Sequence, residues 1–197
     1  MTAIYLPVAD PGVLGIATQW NDEAIRAGKV GYTIITNTST GFVKTGRRLL
    51  GKGALRMHPS NERLFVMIHG DDTLSANSFE VSATRDSGED KSYTPKTLAR
   101  HLHKEGLSTA LTDLRLAVCN GGRADDVGDS FASIFKAWMA HFGYRNLTVY
   151  GYVGNVRSNR VQLNDGSWVK YARVAHIDTS GNQVDEFYRL KDQRVAF

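Results

Sequence analysis

Cysteine occurs once in the 197 residues, as Cys119. A lone thiol forms no internal disulfide, and it offers no thiolate cluster for a structural metal. Long apolar runs are missing too. No stretch approaches the roughly 20 residues that cross a bilayer, so no membrane span is expected. The first residues, Met1-Thr2-Ala3-Ile4-Tyr5-Leu6-Pro7, lack the basic region, apolar core and cleavage site of a secretory leader. The expected location is the cytoplasm, or a target cell reached without a cleavable leader. Acids are scarce at the start of the chain. Residues 1–60 carry seven Lys/Arg against three Asp/Glu, which accounts for the whole net charge of +4. Such a segment is ordinarily a solvated surface, and no nucleic-acid partner is expected.

What is present is a globular chain, 42% hydrophobic and 22% charged, long enough for one domain spanning 1–197 with a substantial core. From residue 64 the pattern runs strand, helix, strand, helix, strand, which predicts an α/β fold with a mostly parallel central sheet. The first strand is Leu64-Phe65-Val66-Met67-Ile68. A polar connection over 71–93 follows, containing an alternating piece, Phe79-Glu80-Val81-Ser82-Ala83, suited to a small hairpin or edge strand. Thr94 and Pro95 open a helix that ends near Gly106. The strand Leu114-Arg115-Leu116-Ala117-Val118 comes next. A second helix, capped by Asp129 or Ser130, carries Phe131, Ile134, Phe135, Trp138, Met139 and Phe142 as one apolar stripe and stops at Gly143. Residues 147–153 form a third central strand. The stretches 156–163, 167–175 and 184–190 alternate as antiparallel strands with turns between them. Before residue 60, a strand over 31–36 and a short helix over 18–28 are expected.

Two of these strands end on reactive groups. Leu64–Ile68 closes on His69-Gly70, and Leu114–Val118 closes on Cys119-Asn120-Gly121-Gly122. Sites in open parallel sheets form beyond the carboxyl ends of strands, so neighbouring strands would bring imidazole and thiol together. A thiol with an unperturbed pKa near 8.5 is only a few per cent ionised at neutrality, and a histidine beside it takes the proton. The backbone N–H groups of Gly70 and Cys119 are candidate donors to an oxyanion. Gly70 and the Gly121-Gly122 pair leave room for a substrate backbone. Taken alone, Cys119 reads as a small core hydrophobe; the matching His69-Gly70 is what makes it a candidate nucleophile. His101 and His103 are two apart on a helix and are expected at the surface, while His58, His141 and His176 have no metal-like spacing. Asp125 and Asp126 are candidates for contact with a basic substrate residue, against the plainer alternative of a solvated helix start.

Residues 64–153 resemble the caspase-like (clan CD type) cysteine peptidases of the His-Gly…Cys kind. This grouping holds caspases, gingipains, clostripain and the self-processing protease domains of large bacterial toxins. The resemblance rests on Val66-Met67-Ile68-His69-Gly70, on Leu116-Ala117-Val118-Cys119-Asn120, and on the 50 residues that separate His69 from Cys119. Leu98-Ala99-Arg100-His101-Leu102 with Gly106-Leu107 makes it closest to the toxin branch. Val118 stands where that family usually has alanine or serine.

The resemblance implies a caspase-like three-layer sandwich with its catalytic core at about 60–155. It also implies a cysteine endopeptidase of bacterial toxin or effector type, acting on a protein or peptide substrate or on itself. His69 would be the general base and acid, Cys119 the nucleophile, and Gly70 with Cys119 the oxyanion hole. Asp71 or Asp72 would be the residue orienting the imidazole, though the family often dispenses with one. No metal or resident cofactor is implied. An inositol phosphate, or else calcium, would act as activator, with the basic segment 44–56 as its docking place. The alternatives are a peptidase-like binding module in which Cys119 merely packs, and a Cys–His acyl transferase or deamidase.

Overall fold

The computed structural model describes residues 2–36, 53–70, 80–85, 87–162, 166 and 168–197. Its centre is a six-stranded sheet built from β1 (Ala3–Leu6), β2 (Thr33–Thr36), β3 (Leu64–Met67), β6 (Asp113–Ala117), β7 (Thr148–Tyr152) and β11 (Arg194–Ala196), in the order β2-β1-β3-β6-β7-β11. All neighbours are parallel except β11, which runs antiparallel to β7. The expected fold class is the one observed: a three-layer α/β sandwich of the caspase-like kind, with an antiparallel sheet toward the C-terminus.

Right-handed crossovers dictate the layers. The chain moves from β1 to β2 in one direction and from β3 through β6 to β7 in the other, so the connecting helices must lie on opposite faces. Helix α1 (Pro11–Arg26) covers one face with Val13, Ala17 and Trp20, against Ile4, Leu6, Phe65 and Met67. Helices α2 (Pro95–Lys104) and α3 (Phe131–His141) cover the other, packing Leu98, Leu102, Phe135 and Met139 against Tyr5, Leu64, Val66, Leu114 and Leu116. Sheet strands covered on both sides read as unbroken apolar runs, which is why β3 and β6 were legible. Ser130, not Asp129, caps α3, and Thr94 caps α2 with Pro95 in its first turn.

The alternating piece after β3 does pair as a hairpin, β4 (Val81–Thr84) with β5 (Asp90–Tyr93). Beyond β7 the strands β8 (Asn155–Gln162), β9 (Trp168–Ile177) and β10 (Gln183–Arg189) form the separate antiparallel sheet. Ala172 and Val156 seat that sheet on the α1 face of the core.

Two expectations need correction. The helix expected over 18–28 begins at Pro11, because Asp10 caps it by accepting the Val13 N–H at 2.9 Å. His101 is not a surface residue. It faces the core side of α2, with Nε2 2.8 Å from the Tyr5 hydroxyl and its ring against Tyr93. Burial lowers its pKa, assisted by Lys91 and opposed by Glu105. His103 is exposed as expected and stacks on Phe142.

Candidate functional site

Strands β3 and β6 are neighbours, with Met67 in register with Ala117. Two residues further along each strand stand His69 and Cys119, so both side-chain carriers reach the carboxyl edge at the same level. Gly70 lies directly against the Cys119 backbone. A Cβ there would overlap the Cys119 carbonyl oxygen and sit 2.6 Å from Val118 Cγ1 and 2.9 Å from Cys119 N. Only glycine permits that approach, and it brings the peptide units of the two candidate oxyanion donors side by side. Val118 itself is buried, and Cys119 is half-buried.

The third contributor comes from β1, the other neighbour of β3. β1 and β3 flank the point where the strand order reverses, which is where crevices open in such sheets. Asp10, in the loop after β1, is buried, and its Oδ1 lies 3.7 Å from His69 Nε2. That exceeds hydrogen-bond length, while the opposed charges of a carboxylate and an imidazolium still attract at this range. The Asp10 carboxylate is held by two elements at once. Oδ1 accepts the Val13 N–H at the start of α1, and Oδ2 accepts the Thr84 N–H of the hairpin at 2.7 Å. Burial alone would raise its pKa. The N–H groups of Val13, Thr84 and Gly12, together with nearby His69, more than offset this and hold it below its ordinary value. The hairpin is also fastened to His69, whose carbonyl accepts the Ser82 N–H at 3.0 Å.

The sequence expectation for this role was Asp71 or Asp72, and both lie outside the described residues. Asp10 went unread although a signal was present. An apolar run, Ile4-Tyr5-Leu6, is followed by Asp10-Pro11, which is a helix cap and a first-turn proline at a strand's end.

Beyond the thiol the chain turns sharply. Asn120 adopts φ 55°, the left-handed region, which asparagine tolerates. Gly121 and Gly122 are buried, and the Gly122 N–H donates to the Tyr152 carbonyl at 2.9 Å. A Cβ on Gly122 would fall 2.8 Å from the Gly151 carbonyl carbon. The room these glycines were expected to leave for substrate is therefore used for packing, Gly122 on β7 and Gly121 on Val118. Asp125 Oδ1 accepts the N–H groups of Val127 and Asp129 in its own turn, and Asp126 is exposed.

A second feature lies on the α1 face, between the central sheet and the antiparallel one. A cavity of about 300 Å³ is walled by Trp20, Tyr32, Phe65 and Tyr152 and by seven cations. Arg115 comes from β6, Arg63 from just before β3, Lys29 from the loop after α1, and Lys170 from β9. Arg189, Lys191 and Arg194 come from the C-terminal segment. Asp113 bridges Arg63 at 2.9 Å and Arg115 at 3.1 Å. Burial tends to raise the Asp113 pKa, but the two guanidinium groups hold it below its ordinary value. Among the described residues no acidic side chain lines the cavity itself. In the basic segment 44–56, Lys44, Arg47, Arg48 and Lys52 lie outside the described residues, and Arg56 is exposed on a short helical turn, Ala54–Met57.

Among the described residues no group of three or more His, Cys, Asp or Glu side chains is placed to hold a metal ion, and no helix is long and apolar enough to cross a membrane. The chain matches no protein-family model, and no curated protein is significantly similar to it.

Proposed function

We propose that the protein is a caspase-like cysteine endopeptidase working through Cys119 and His69. The observation that carries this is the seating of Gly70 on the Cys119 backbone at the shared carboxyl edge of β3 and β6. In this scheme His69 removes the proton from Cys119 Sγ, and the thiolate adds to the substrate carbonyl carbon. The oxyanion is met by the N–H groups of Gly70 and Cys119. The imidazolium returns its proton to the amide nitrogen, the C–N bond breaks, and the amine leaves behind a thioester. Water then attacks while His69 takes its proton. The C–S bond breaks, the carboxylic acid departs, and the proton returns to sulfur. Asp10 orients the ring.

The test is incubation of wild type and Cys119→Ala with a peptide library, with and without inositol hexakisphosphate or calcium, read by mass spectrometry. Cleavage by wild type alone is expected. If wild type cuts nothing and native Cys119 resists iodoacetamide, the peptidase assignment fails and a binding module takes its place. Labelling without cleavage would favour an acyl transferase or deamidase.

The activator, in this proposal, is a polyphosphorylated small molecule held in the basic cavity. Seven cations around one concave site, with Asp113 engaged by only two of them, Arg63 and Arg115, favour a ligand of several negative charges. Arg189→Gln and Lys191→Gln are each expected to weaken inositol hexakisphosphate about tenfold, the equivalent of one charge-assisted hydrogen bond. Calorimetry at two salt concentrations measures this, and binding indifferent to both substitutions and to salt would refute the site.

A further inference from the structure

We propose that the chain self-associates as a twofold dimer, through antiparallel pairing of β10 with β10 of a second copy. Among the described residues nine large hydrophobic side chains are exposed, and four of them, Ile177, Val184, Phe187 and Tyr188, belong to β9 and β10. Phe187 is 63% exposed, and every residue of β10 is open to solvent. The strand ends the three-stranded sheet and pairs on one side only, with β9. The outward N–H and C=O groups of such an edge are a template for a further strand. The usual deterrents are missing here. β10 carries no proline or lysine, and its seven pairs with β9 run from Gln183 to Arg189 without a bulge. The edge concerned belongs to the separate antiparallel sheet, not to the six-stranded one.

Contacts with β9 fix the faces of β10. Asp185 meets Arg173 at 3.2 Å, and the Phe187 ring lies edge-on to Tyr171 with centroids 5.5 Å apart. By alternation Asp185, Phe187 and Arg189 share the face turned away from the core, since Ala172 of β9 is buried on the opposite one. A twofold antiparallel pair sets one residue opposite its own copy. With Asp185 or Glu186 in that place, like charges would face each other across the strands, which is unfavourable. Centring on Tyr188 would pair only residues 187–189 of the strand. With Phe187 at the centre, Asp185 of each copy stands opposite Arg189 of the other. The two Phe187 rings adjoin, each flanked by its own Tyr171. On the other face Glu186 comes opposite Tyr188, the residue whose hydroxyl donates to Glu186 within the single chain. Both signs of charge on β10 are therefore matched in one register, and the strand is complementary to itself.

Pairing over 185–189 makes a short interface of the weak, concentration-dependent class, with a dissociation constant on the order of 100 μM. Sedimentation equilibrium of the 197-residue chain, from about 10 μM to about 1 mM, measures it. Arg189 also borders the basic cavity, so the runs contain no polyanion. Asp185→Arg and Arg189→Asp each turn two attractive pairs into two repulsive ones, and each is expected to weaken self-association at least about tenfold. Mixed in equal amounts, the two variants face each other with opposite charges again. Their mixed dimer is expected within about threefold of the wild-type constant. Phe187→Lys should lose more than about tenfold, while Ile177→Lys, which alters an exposed apolar residue of β9 away from the edge, stays within about twofold. Thermal melts identify any swap that fails to fold, and hydrogen exchange of wild type then decides. Amides over 185–189 should exchange about threefold more slowly at about 1 mM than at about 10 μM. A wild type that stays monomeric at about 1 mM overturns the proposal, as does a mixture of folded swap variants that does not associate. Association that survives both single swaps unchanged places the contact on another surface and overturns it as well.

Discussion

Placing one methyl group at position 70 is expected to slow the site about a hundredfold, although the thiol and imidazole both remain. A Cβ on Gly70 meets the Cys119 carbonyl oxygen, the Cys119 nitrogen at 2.9 Å and Val118 Cγ1 at 2.6 Å. Two of those three neighbours are backbone, and Val118 is buried, so no flexible side chain can swing aside. Relief requires β3 and β6 to part at their ends by roughly 1 Å, a misplacement that costs about a hundredfold in rate when it falls on reacting groups. Overpacking of this kind also destabilises by about 1–3 kcal/mol. Gly70→Ala should therefore cleave peptides about two orders of magnitude more slowly, with a lowered urea midpoint but a cooperative transition. Gly15→Ala is the matched control, since nothing lies within 4 Å of a Cβ there. Wild-type cleavage by Gly70→Ala would mean that the two peptide units do not form the oxyanion site.

Asp10→Ala is expected to lose both stability and activity, with a pH signature that separates the two. The carboxylate caps α1 through Val13 and holds the hairpin through Thr84. Loss of the cap costs about 1 kcal/mol, and loss of the charged hydrogen bond to Thr84 about 1.5–3 kcal/mol. The pairing with half-exposed His69 adds little to stability. Because the Asp10 pKa is depressed in the folded protein, its contribution is full above the unfolded value of about 3.8 and is lost as the pH falls through the lower folded value. Urea midpoints should show the gap between wild type and Asp10→Ala constant at neutral pH and closing below about pH 4. The activity defect, in contrast, should persist at neutral pH after the lost stability is restored with an osmolyte, since the imidazole has lost its orienting charge. Asp10→Asn should not rescue stability, because two N–H donors face a group that can then accept only with one oxygen. A gap that stays open in acid would show that Asp10 carries no depressed pKa.

Much of this architecture could be read before any coordinates. The strands ending at His69 and Cys119 are buried on both faces, so each appears as an unbroken apolar run, and Thr94-Pro95 and Ser130 announce their helices by local capping chemistry. The alternation over 79–83 marked a hairpin or edge strand, and that beyond Tyr152 antiparallel strands, because period-two patterning is also local. His101 was misjudged because spacing along one helix says nothing about Tyr5 and Tyr93, which arrive from β1 and β5 and turn a polar ring inward.

The chain alone determined which groups stand at strand ends, the thiol and the imidazole 50 residues apart, since that information lies in a few consecutive residues. Only the tertiary structure decided that β3 and β6 are neighbours in register, and that β1 lies beside β3 to bring Asp10 to the same edge. It also gathered seven cations from separate segments around one cavity, and spent Gly122 on packing against β7. Each of these is a contact between residues distant along the chain. Propensity and periodicity report the conformation of one segment, whereas strand order, register and layer are set by which apolar faces bury one another.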